Sequence, residues 1–217
     1  MKNIAVILAA GTGSRIGSDI PKQFLLLDNK EILAYSLETF SKCSKIDEIV
    51  VVINETYKNN YINIINKYII SRKLVLVNGG ENRQKSVLNA IEHISSKYEN
   101  AIVLVHDAAR PYVSEKIILD NIDAVTKYEC CTTAIPSSNS VYLTKDGNFV
   151  EEVNRDSIYL AQTPQSAYLS VFKKAFENID RIYTDEAAIF AAIGYVPHIV
   201  LGEEKNIKIT YPEDLKK

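Results

Sequence analysis

The chain has 217 residues, 47% of them apolar, and a formal net charge of −2 at pH 7. That size and apolar share suit one compact domain with a substantial core, and scattered Lys and Arg residues offer no basic field for nucleic acid. Cys43, Cys130 and Cys131 are too few and too badly spaced for a disulfide framework or a zinc site, and no segment reads as a targeting signal or membrane span, so a reduced, cytoplasmic protein is expected.

The first predicted strand, Asn3–Leu8, runs into AAGTGSRIGSDIPKQ. Glycines without Cβ atoms at Gly11 and Gly13 let backbone N–H groups approach a polyphosphate closely. Arg15 and Lys22 can neutralise its charge, the arginine as a planar fork and the lysine as a point charge. A Walker A loop is excluded because Gly17 is followed by Ser18 rather than Lys. The dinucleotide fingerprint fails too: Gly11, Gly13 and Gly17 are spaced one residue too far apart, and no acidic strand end follows at the required distance. The competing reading is a Gly-rich turn with no ligand, which the two cations argue against.

Helical patterns at Ile32–Cys43, Tyr57–Ile69, Arg83–Ser96 and Ser114–Lys127 separate apolar strands at Glu48–Ile53, Lys73–Asn78, Ala101–Val105 and Cys130–Ile135. Strands apolar on both faces, alternating with helices, predict an α/β fold with a Rossmann-like, doubly wound, mostly parallel sheet. Ligands of such sheets sit at the carboxyl ends of the strands. The third strand ends on Gly79-Gly80, with Ser86 placed to bond a planar base; an ordinary helix start capped by Asn82 is the alternative. The fourth ends on His106-Asp107-Ala108-Ala109-Arg110, where Asp107 can hold a divalent cation or sugar hydroxyls and Arg110 can clamp a phosphate; a local Asp107–Arg110 ion pair is the alternative. His106 reads as a structural residue bonded to backbone.

After Pro136 the regular alternation stops. Ser140–Thr144 and Asn148–Asn154 flank a Lys145-Asp146-Gly147 turn, which predicts an inserted β-hairpin arm over 137–160. Helices follow at Ser166–Phe176 and Thr184–Ala192, the latter with Thr184 as its cap, and a short final strand closes the chain near Lys208. No Ser-His-Asp pattern or activated Cys-His pair supports a covalent intermediate. The inventory of cations, backbone donors and one carboxylate suits direct in-line attack of one phosphate on another.

Taken together, LAAGTGSRIGSDIPKQ, GGENRQKSV, VHDAARP, AQTPQ, TDEA and NIKITYPEDL, in this order, resemble the 2-C-methyl-D-erythritol 4-phosphate cytidylyltransferases of the polyol-phosphate cytidylyltransferase group over about residues 3–215. The resemblance implies a nucleotide-diphospho-sugar transferase type of fold and transfer of CMP from CTP to a polyol phosphate with Mg²⁺. The acceptor would be methylerythritol phosphate, or a relative such as ribitol 5-phosphate or glycerol phosphate. It further implies that Arg15 and Lys22 bind the CTP phosphates and stabilise the transition state. Ala9, Ala10, Gly11, Gly13, Gly80 and Ser86 would hold the nucleotide, with Arg83 supporting them. Asp107 would serve substrate hydroxyls and the metal, Arg110 lying beside it. Thr163, Thr184, Lys208 and Ser140 would line the acceptor pocket. Arg155 would reach a neighbouring subunit through homodimeric embrace of the arms. Asn139-Ser140 stands where the family usually has Asp-Thr.

Overall fold

The computed structural model describes residues 1–13, 16–18, 20–68, 70, 73–179 and 181–216. Arg15 and the predicted helix end at Ile69 lie outside them. Strands β1 (Lys2–Leu8), β2 (Leu26–Leu27) and β3 (Lys30–Glu31) precede helix α1 (Ile32–Lys42). β4 (Glu48–Ile53), α2 (Lys58–Lys67), β5 (Lys73–Asn78), α3 (Arg83–Ser95), β6 (Ala101–Asp107), α4 (Glu115–Tyr128) and β7 (Cys130–Pro136) follow. The chain continues through β8 (Val141–Lys145), β9 (Asn148–Val153), β10 (Tyr159–Tyr168), α5 (Leu169–Asn178), α6 (Glu186–Ala192) and β11 (His198–Leu201).

Seven strands form one sheet in the order β11-β7-β10-β6-β1-β4-β5. Every pairing is parallel except those of β10, which runs antiparallel between β6 and β7. Alternate residues of each strand face opposite layers, as the pleat requires. Ala5, Ile7, Ile49, Val51 and Leu104 pack under α1, α2 and α4 through Leu37, Phe40, Tyr61 and Ile117. Ile4, Val6, Val50, Val52 and Val103 pack under α3, α5 and α6 through Val87, Ile91, Phe172 and Phe190. Helices therefore cover both faces, and the near-continuous apolar strands are the consequence.

Two expectations are corrected here. The helix predicted from Ser166 begins at Leu169, because Ser166 to Tyr168 complete β10. That strand hides from pattern reading because its core positions are polar: Gln162, Thr163, Gln165 and Ser166 are all buried. Each is satisfied by a partner distant in sequence, such as Asn121 Oδ1 for the Ser166 hydroxyl at 2.8 Å. The final strand is β11, whereas 206–210, carrying Lys208, is irregular and anchored by Ile209 N–H to the Ala109 carbonyl at 2.8 Å.

β8 and β9 form their own two-stranded sheet. Its turn takes positive φ at Asp146 (51°) and Gly147 (79°), the conformation an Asp-Gly pair supplies in a two-residue hairpin. The arm is almost wholly exposed, including Tyr142, Leu143, Phe149 and Val150. Among the described residues no helix is long and apolar enough to cross a membrane.

Candidate active site

A cavity of about 500 Å³ opens at the carboxyl ends of β1, β4, β5 and β6, where a doubly wound sheet places its ligands. Ala9, Ala10, Gly11 and Gly13 line it after β1, Gly80, Arg83 and Ser86 after β5, and Asp107 after β6, with Lys22 and Lys208 closing it. Ten residues of the sequence reading thus meet in one place. Gln23 and Asn54, which that reading did not single out, line it as well.

Glycine is required where the walls touch. Gly13 has φ +71°, and a Cβ there would lie 2.9 Å from Lys22 Cγ. A Cβ on Gly79 would lie 2.6 Å from that of Ala10, so the β1 and β5 loops approach this closely because neither carries bulk. Ser86 is already committed: its hydroxyl donates to the Asn82 carbonyl at 2.9 Å and accepts from Gly80 N–H at 3.0 Å. It shapes the Gly80 turn. Asn82 caps α3, accepting from Lys85 N–H at 2.8 Å.

Charge is organised as a chain across the cavity floor. Arg83 donates through its terminal nitrogens to both oxygens of Glu186, at 2.5 and 2.9 Å, and through Nε to Asp107 Oδ1 at 3.3 Å. Lys208 Nζ donates to Asp107 Oδ2 at 2.6 Å. Burial alone would raise the Asp107 carboxyl, yet the charges of Arg83 and Lys208 outweigh it and hold the group far below the usual carboxylate range. Glu186 is fully buried, and there burial outweighs the attraction of Arg83, so its carboxyl is raised. Lys22 Nζ donates to the Ile209 carbonyl at 2.8 Å, tying the segment after β1 to the last segment of the chain.

Behind Asp107 stands a buried polar wall. Arg110 points away from the cavity, donating to the Asn206 carbonyl at 2.7 Å and the Ala161 carbonyl at 3.1 Å. It makes no ion pair with Asp107. Thr163 is likewise buried: its hydroxyl oxygen accepts from Asp107 N–H at 3.1 Å and lies 3.0 Å from His106 Nδ1. His106 Nε2 lies 3.2 Å from the Arg110 carbonyl, which can only accept, so the proton is assigned to Nε2 and the Thr163 hydroxyl donates to Nδ1. The imidazole is therefore structural, and burial pushes its pKa down to about 4.

A folded-state value below the unfolded one of about 6.5 means that the unfolded chain takes up the proton first. The stability His106 contributes is complete above about pH 6.5 and is lost as the pH falls towards 4. In a His106→Gln variant the unfolding free energy, followed by urea melts, is expected to lose that part of its slope. An unchanged slope would remove His106 from the acid response.

Three predicted residues lie elsewhere. Thr184 is exposed, and Asp185 caps α6 in its place, accepting from Ala188 N–H at 3.0 Å. The capping residue is decided by tertiary contact, since the other Asp185 oxygen accepts from Gln165 at 3.1 Å. Ser140 and Arg155 sit at the base of the arm around a second cavity shared with Glu152, Asn154 and Asp156. Neither lines the main cavity of its own chain.

Comparison with known proteins supplies the family. The family model of IspD, 2-C-methyl-D-erythritol 4-phosphate cytidylyltransferase, matches residues 3–217. The enzyme of that name from Thermosipho melanesiensis is 37% identical over 216 residues, covering 98% of this chain and 94% of its own length. Among solved structures, 2-C-methyl-D-erythritol 4-phosphate cytidylyltransferase from Francisella tularensis superimposes with a TM-score of 0.82 at 36% identity, covering 99% of this chain and 97% of that one. The 4-diphosphocytidyl-2C-methyl-D-erythritol synthase from Anaerococcus prevotii gives a TM-score of 0.83 at 30% identity, with 99% and 95% covered. A glycine turn and a cation-held aspartate at the strand ends and full-length similarity agree: the chain belongs to the 2-C-methyl-D-erythritol 4-phosphate cytidylyltransferase family.

Proposed function

We propose that the cavity after β1, β5 and β6 is where CTP and 2-C-methyl-D-erythritol 4-phosphate meet. The chain is a cytidylyltransferase that makes CDP-methylerythritol from these two substrates. An oxygen of the acceptor phosphate attacks the α-phosphorus of CTP, the bond from that phosphorus to the bridging oxygen breaks, and pyrophosphate leaves carrying the electron pair. Negative charge gathers on the departing side, and Lys22 stands against the turn that would cradle it. Arg15 is assigned beside it on the resemblance of the motif. The observation that carries this reading is the convergence of Lys22, Lys208 and Arg83 on one cavity whose other walls are small-residue backbone.

The nucleoside falls to the Ala10, Gly11 and Gly80 backbone, with Ser86 and Arg83 holding that wall in shape. Lys208 and Asp107 face the acceptor. Thr163 supports Asp107 from behind, and Arg110 fixes the last segment against the sheet. Magnesium fits this donor set: Asp107 stays ionised, is a hard oxygen donor and retains lone pairs beyond those used by Arg83 and Lys208. Among the described residues no cluster of three His, Cys, Asp or Glu side chains is present, so the ion would be held chiefly by substrate phosphates. When bound, it would neutralise charge on those phosphates.

The arm reads as a homodimer element. Its apolar side chains Tyr142, Leu143, Phe149 and Val150 are exposed, and Arg155 lies outside the cavity of its own chain. Embrace of two arms would cover the former and bring Arg155 to a partner's acceptor phosphate. Pyrophosphate release, measured with CTP and Mg²⁺ against methylerythritol, ribitol and glycerol phosphates in parallel, tests the reaction. Release with methylerythritol phosphate is expected, Asn139 notwithstanding; release with another polyol alone would reassign the acceptor.

A further inference from the structure

We infer that Gln23 is a positioning residue for the nucleotide half of the site, an inference that rests on the reading of the cavity as a CTP site. Gln23 follows Lys22 on a short 3-10 turn and is 3% exposed. Its Nε2 donates to the Ala9 carbonyl at 2.5 Å and to the Tyr61 hydroxyl at 3.0 Å. Tyr61, fully buried on α2, donates in turn to the same carbonyl at 2.6 Å and lies 3.5 Å from Asn54 N.

These bonds close a triangle among three walls of one cavity: the strand exit at Ala9, the lysine turn, and the end of β4 at Asn54. Ala9 is where the chain leaves the sheet for the glycine turn, its N–H still held by Val52 at 2.9 Å. Fixing its carbonyl therefore fixes the direction in which that turn departs. The same amide fixes the backbone beside Lys22, so both phosphate-facing segments hang from one group. A carbonyl only accepts, so the amide orientation is forced and both Nε2 protons are spent on protein. Gln23 therefore donates no proton to the reaction and acts by holding the pieces that do. The edge contact of Phe24 with Tyr61, centroids 4.9 Å apart, keeps the next residue of the turn in the core.

The test uses the whole chain and three variants: Gln23→Met, which keeps length and loses both donors, Tyr61→Phe, and the pair combined. Gln23→Met is expected to lower kcat/KM for CTP by about 10- to 100-fold, the range typical of groups that orient a ligating shell, while KM for the acceptor stays within about twofold. Because both side chains act on the Ala9 carbonyl, the double variant should lose less than the product of the single losses. CTP affinity measured by calorimetry without acceptor separates this from the reaction itself. A wild-type chain that binds CTP but releases no pyrophosphate sinks the reaction and leaves Gln23 to be read in the binding data. Unimpaired CTP binding and turnover in Gln23→Met, or equal losses for both substrates in step with unfolded protein, overturn the inference. Should Gln23→Met not fold, Tyr61→Phe carries the test with a smaller expected loss, about 3- to 10-fold in the same parameter.

Discussion

Replacing Lys22 by alanine is expected to lower kcat by about 10²–10³-fold, the cost of deleting one preorganised charge donor at a developing anion. The size of the effect follows from how firmly the side chain is held. Gly13 leaves room for its stem and nothing more, Gln23 and Phe24 anchor the adjacent backbone, and its ammonium is aimed by the Ile209 carbonyl at 2.8 Å. A lysine so placed surrenders little rotamer entropy when phosphate arrives, so little of its interaction with the developing charge is offset by ordering. The fold should survive, because Gln23 and Phe24, the buried residues of the short 3-10 turn that Lys22 opens, are untouched. Steady-state pyrophosphate release, with thermal melts as the fold control, decides the point. Turnover within about threefold of the parent would take Lys22 out of the catalytic role.

The largest stability loss is expected from Glu186→Ala. Glu186 is fully buried and takes both terminal nitrogens of Arg83, so its removal strands a cation in a poorly solvated site. Breaking such a pair from one side costs about 3–5 kcal/mol, and because Arg83 is partly exposed and keeps Asp107, the lower end applies. For a chain of this length that is a fall of about 10 °C in Tm. CTP binding should weaken as well, since Arg83 lines the cavity and Glu186 is what holds it there beside Asp107. Glu186→Gln, which preserves shape and one acceptor, should lose much less; equal losses in the two variants would show that the charge, and not shape or a hydrogen-bond acceptor, is what Glu186 supplies.

The two carboxylates on Arg83 carry opposite pH signatures. Asp107 is held below its unfolded value of about 3.9, so the stability it contributes is full above that pH and is lost as the pH falls beneath it. Glu186 is held above its unfolded value of about 4.3, so its ionisation costs stability, and the cost is complete once the pH rises past the folded value. Asp107 lines the cavity and stays charged there, whereas Glu186 is an internal strut.

The parts of this molecule legible in one dimension are those whose physics is local. Apolar runs at β1, β4 and β6 announce strands buried on both faces, because nothing else explains four to seven consecutive core positions between helical periods. Asp146-Gly147 announces its hairpin through the positive φ it tolerates. Gly11, Gly13, Gly80 and Asp107 stand at or just past strand ends, so the topology rule alone gathers them into one cavity. What tertiary structure decided is where polar side chains spend their hydrogen bonds. β10 carries buried glutamine, threonine and serine that no hydropathy pattern assigns to a core, and partners such as Asn121 and Asp185 make that burial tolerable. Arg110 and Thr163, which read as ligand groups, are instead consumed in bracing Asp107 and the 206–210 segment. Gln23, Tyr61 and Glu186 do their work through atoms 14, 52 and 103 positions away. Periodicity reports which face of an element is apolar; the satisfaction of a buried polar atom depends on a neighbour that folding alone brings within about 3 Å.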